Sequence, residues 1–83
     1  MSSRGISPAK LKRMIKDMSP ERQRESIERG LRVVPIWIME ECAKTGPQFN
    51  SKVVAYLEKT LKVYRECWTD YLIEFHVKGD HNA

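Results

Sequence analysis

Val54, Leu57, Leu61, Tyr64, Trp68, Tyr71 and Phe75 follow one another in alternating steps of three and four residues. That 3.5-residue period belongs to a helix and to no strand, and it places all seven side chains on one seam. The last four are aromatic, so the seam turns from aliphatic to aromatic along its length. A helix over 51–77 would be ~40 Å long at 1.5 Å per residue. A globule of 83 residues has a radius of gyration near ~12 Å, so such a helix overhangs it.

The rest of the chain divides at its prolines and glycines. Ser7-Pro8 and Ser19-Pro20 each pair an N-cap hydroxyl with a proline in the first helical turn, where no backbone donor is needed. The first piece, 8–17, puts Leu11, Met14, Ile15 and Met18 on one face and Lys12, Arg13 and Lys16 on the other. The second opens with polar turns, after which Ile27, Leu31 and Val34 mark a buried stripe. Gly30 weakens it by ~1 kcal/mol relative to alanine. Glu25 to Arg29, Glu28 to Arg32 and Glu58 to Lys62 are spaced as favourable i, i+4 pairs.

Pro35 leaves two readings of 33–39: a kink followed by more helix, or a short β-branched strand. With no second strand to pair with, the kinked helix is preferred, running on through Ile38, Met39 and Cys42. Gly46-Pro47 stops it, Asn50 or Ser51 caps the final helix, and Gly79 ends that one. The expected fold is all-α: a short basic helix and a Pro-kinked central helix packed antiparallel on one long C-terminal helix. Residues 1–83 form one domain, with loose ends at 1–6 and 79–83.

Folding the last two helices back on each other sets Cys42 against Val54, Ile38 against Leu57, Leu31 against Tyr64 and Ile27 against Trp68. Tyr71 and Phe75 then face Gln23 and Pro20, where the central helix has become polar. The aromatic end needs other cover: the first helix, a second copy, or a different protein. Tyr64, Trp68, Tyr71, Leu72 and Phe75 are therefore the candidate protein interface, because aromatic side chains anchor interfaces and large bare apolar patches are uncommon.

Charge raises a second candidate. Residues 1–18 hold five cations against Asp17, and this segment carries the entire excess of +4. Lys10, Lys12, Arg13, Lys16, Arg22 and Arg24 are candidate nucleic-acid contacts, on two short helices of suitable chemistry. The interleaved Glu21, Glu25 and Glu28 oppose phosphate. An acidic ridge of Glu66, Asp70 and Glu74 is suited to drawing in the basic first helix.

Catalytic and metal-binding equipment is sparse. The two histidines, His76 and His81, lie near the end, and no phosphate loop, nucleophile elbow or dinucleotide fingerprint occurs. Cys42 and Cys67 form no CxxC pair and read as buried thiols. No stretch is long and apolar enough to span a bilayer, and the leading residues lack a secretory apolar core, so a cytoplasmic setting is expected. The expected function is a non-enzymatic interaction module (adaptor, inhibitor or regulatory subunit), without cofactor, metal or small-molecule substrate, pairing with itself or another protein. The alternative is a dimeric nucleic-acid-binding regulator.

Overall fold

The computed structural model describes residues 6–77. The expected Gly79 stop, His81 and all of the proposed loose ends except Ile6 lie outside them. Helix α1 spans Pro8–Lys16, α2 spans Pro20–Ala43 and α3 spans Ser51–Leu72. A single 3-10 turn at Gly46–Gln48 joins α2 to α3, and a π turn at Ile73–Val77 finishes the chain described here. No strand occurs among these residues, so 33–39 is helix and α2 continues through Pro35.

The ends of the helices are where the caps put them. Ser7 Oγ accepts from the Lys10 amide at 3.2 Å, and Ser19 Oγ from the Arg22 amide at 3.4 Å. Asn50, rather than Ser51, caps α3, its Oδ1 accepting from the Lys52 amide at 2.9 Å. Gln23 reaches back to the end of α1, its Nε2 donating to the Met18 carbonyl at 2.9 Å. Gly46 has φ +62°, a left-handed value that suits glycine at the sharp stop after α2.

The direction of the three helices follows from pairs of residues along them. Ile6 is hydrogen-bonded to Tyr56, Lys12 is paired with Glu66 and Lys16 with Asp70, so α1 runs parallel to α3. α2 runs antiparallel to both. The core is one cluster: Ile15 from α1, Ile27 from α2, and Val63, Cys67 and Tyr71 from α3. Leu11, Leu31, Tyr64, Trp68 and Leu72 pack around it, while Val34 and Leu57 are buried farther along the α2–α3 hairpin.

Three expectations need correcting. The buried line on α3 is Leu57, Thr60, Val63, Cys67 and Tyr71, rotated from the sequence seam, whose members Val54, Leu61, Tyr64 and Trp68 are only half-buried. The reason is α1: a third helix against the flank of α3 moves the most enclosed direction into the space between α1 and α2. Cys42 is exposed, because Glu41 and not Cys42 turns toward the start of α3. Of the expected i, i+4 ion pairs none forms; Glu28 is taken by Arg24 at 3.2 Å instead.

Gly30 has a role beyond propensity. The Tyr64 ring lies against its bare α-carbon, so a Cβ there would come within 2.6 Å of Tyr64 Cδ1. The glycine is what lets α2 and α3 approach with an aromatic ring between them. Gly30→Ala should gain ~1 kcal/mol of helix propensity but lose ~1–3 kcal/mol to overpacking. We expect it to destabilise the wild type in urea unfolding, and to stabilise a Tyr64→Ala background, where the clash is gone.

Candidate interaction surface

Burial of Val34 fixes how the second half of α2 is turned: Ile36 and Met39 point out, while Trp37, three residues on from Val34, lies on the flank beside α3. Ile36 is 49% exposed, Trp37 50% and Met39 71%. α1 gives them no cover, since its polar contacts with α2 are made near the connecting turn, at Gln23 and Ser26. Trp37 also forms one wall of an open groove of about 330 Å³, with Ser26, Arg29, Gly30, Val33, Val34 and Tyr64. Arg29, Arg32 and Glu40 are exposed on the same stretch of helix and take part in no ion pair among the described residues.

The residues picked out in α3 are distributed differently. Tyr71 is buried in the core cluster beside Ile15, so its ring is occupied within the chain. Trp68 stacks on it with ring centroids 5.6 Å apart, and Phe75 tilts against it at 4.8 Å. Tyr64 and Leu72 are half-buried, and Phe75 is exposed at the rim of a second cavity of about 250 Å³. That cavity is lined by Gln23, Tyr71 and Phe75 as the antiparallel register requires, but Ile15 of α1 is there too and covers Tyr71, though not Phe75.

The basic residues divide in the same way. Lys12 pairs with Glu66 at 3.5 Å and Lys16 with Asp70 at 3.6 Å, so two members of the acidic ridge receive α1 of their own chain. Arg24 is held by Glu28. Lys10, Arg13 and Arg22 are exposed and make no ion pair among the described residues. Half of the candidate nucleic-acid contacts are thus shared with carboxylates.

Neither family models, nor curated proteins, nor solved structures yield a match to this chain. Its chemistry must be read from its own side chains. Burial pushes the Cys67 thiol up, with Lys12 and Lys16 only partly opposing, so it stays protonated near neutrality and packs as an apolar group. Burial likewise raises the Tyr64 phenol. Among the described residues no cluster of His, Cys, Asp and Glu is placed to hold a metal, and no helix is long and apolar enough to cross a membrane.

Sequence reasoning passed over Ile36, Trp37 and Met39, although a signal was present. Once Val34 is assigned inward, helical period turns 36 and 39 away from α3 and leaves 37, three residues on from Val34, on the flank beside it. It also passed over Glu41, which is 7% exposed and fastens the hairpin. Its carboxylate accepts from the Lys44 ammonium at 3.0 Å and from the Asn50 amide at 2.9 Å, tying the end of α2 to the cap of α3.

Two predictions follow from these contacts. The Lys44 hydrogen bond first, and the Asn50 amide second, hold the Glu41 carboxyl below its ordinary value. A depressed folded value means a stabilising contribution that is complete above the unfolded carboxylate range and is lost as pH falls through the folded value. Thermal midpoints measured between neutral and acid pH should therefore drop less for Glu41→Gln than for the wild type. For α1, Ile15→Ala should cost ~2–5 kcal/mol in chemical unfolding, as deletion of a fully buried side chain does. Lys12→Ala and Lys16→Ala should cost under ~1 kcal/mol each, because exposed ion pairs are screened.

Proposed function

We propose that this chain is a protein-interaction module that docks another helical surface on the outer face of α2, around Ile36 and Met39, with Trp37 on the adjoining flank. One observation carries the reading: three large apolar side chains, each about half exposed or more, within four consecutive positions of one rigid helix. Fully burying a side chain of this kind contributes ~1.5–3 kcal/mol, a large share of the stability of a domain this small. Leaving three in water is costly unless another surface covers them. Their position on a helix braced by α3 gives a partner a fixed shape to meet, and the groove beside Trp37 and Tyr64 can take a protruding side chain.

An adaptor, inhibitor or regulatory subunit would use such a surface without any chemistry of its own. We place the module in the cytoplasm, where the free thiols of Cys42 and Cys67 would stay reduced. Nucleic-acid binding ranks second, because Lys12, Lys16 and Arg24 are engaged by carboxylates.

Met39→Glu tests the reading. The side chain is mostly in solvent, so the variant should melt within a few degrees of the wild type. Chemical cross-linking in cells should give adducts for the wild type, with itself or with a foreign protein, that Met39→Glu loses. Identical adducts from both chains, or none from the wild type, would overturn it.

A further inference from the structure

The outer face of α2 carries a seam of its own. Glu25, Arg29, Arg32, Ile36, Met39 and Ala43 recur in steps of four and three, and every one of them is exposed. The first half of this stripe is charged and the second half is apolar. Its asymmetry restricts what can lie along it. A second copy set parallel would put Arg29 on Arg29 and Arg32 on Arg32. Set antiparallel, with Ile36 at the crossing, each residue meets the one equally far on the other side of Ile36. Arg32 lies four positions before Ile36 and Glu40 four positions after it, so opposite charges meet twice. Val33 and Met39 are related in the same way, which lays the most exposed apolar side chain of the stripe on an aliphatic one.

Arg32 and Glu40 cannot satisfy each other within one chain, since eight residues of helix separate them by ~12 Å. Neither is in an ion pair among the described residues. We propose that two copies of this chain pair antiparallel through the outer stripe of α2, with Ile36 on the two-fold axis and Arg32 facing Glu40 of the partner subunit. This rests on the docking reading above and names the occupant of that surface. The contact is isologous and closes on itself. A single helix against a single helix lies below the ~1,200 Å² of a standard interface, so the dimer should be weak, with a dissociation constant in the micromolar range.

Sedimentation equilibrium and a cysteine scan test the pairing. Arg32→Glu and Glu40→Arg should each weaken self-association about tenfold or more, and combining the two should restore it to within about threefold of the wild type. In a Cys42→Ser background, Ile36→Cys should form an intermolecular disulfide under mild oxidation. Glu25→Cys should not, because antiparallel copies hold those positions ~33 Å apart, whereas parallel copies would bring them together. Circular dichroism melts of these exposed-site variants confirm folding. A wild type that stays monomeric at millimolar concentration, charge exchanges without effect, or cross-linking at position 25 instead of 36 would each overturn the proposal. If the chain is monomeric yet cross-links to a foreign protein that Met39→Glu loses, the pairing fails and the docking reading stands. If neither association is found, both fail.

Discussion

Ile15 is the residue on which the three helices converge. Its side chain is 1% exposed and packs with Ile27 of α2 and with Val63, Cys67 and Tyr71 of α3. Without it the molecule would be a two-helix hairpin, in which each helix can bury only one narrow stripe. A nine-residue helix such as α1 is too short to persist alone, so it is helical because it is docked. The dependence is mutual. α1 receives its shape from α3, and Tyr71 of α3 is buried with the help of Ile15 of α1.

Much of this architecture could be read from residue spacing. The prolines preceded by serine located two helix starts, Gly46-Pro47 located the hairpin turn, and periodicity assigned the faces of α2 and α3 to within one residue: Tyr64 rests on Gly30 where Leu31 was expected. What could not be read was the angle at which a third helix enters. Period alone identifies an apolar face about a hundred degrees wide, and only the position of α1 decides which edge of that face is most enclosed. For the same reason Thr60 and Cys67, off the seam, are buried while Trp68, on it, is not fully so. Glu41 escaped notice because the Asn50 amide, from which it accepts, is brought to it by the turn rather than by helical spacing.

Shape explains where the apolar surplus ends up. The molecule measures 56 × 25 × 15 Å, with a radius of gyration of 15.2 Å, against ~12 Å for a compact chain of this length. A body one to two helices thick has little interior, and its apolar side chains cannot all be enclosed. Bare apolar side chains occur on the second half of α2 (Ile36, Trp37 and Met39), near the hairpin turn (Phe49, Val53 and Tyr56) and at the end of α3 (Ile73 and Phe75). Charges are distributed to match. The lysines of α1 are used to orient it on Glu66 and Asp70, while Arg29, Arg32 and Glu40 remain unpaired among the described residues beside Ile36 and Met39. Ion pairs of this exposed kind add little stability and mainly select which surfaces meet, and in which orientation.

The hydroxyl of Tyr56 both accepts from the Ile6 amide, at 3.1 Å, and donates to the Ile6 carbonyl, at 2.9 Å. The backbone just ahead of α1 is thereby held near the hairpin turn, whereas the last turn, Ile73–Val77, is at the opposite pole. Force applied at Ile6 and at Val77 would act at points ~30 Å apart along α3, with 21 residues of helix between Tyr56 and Val77.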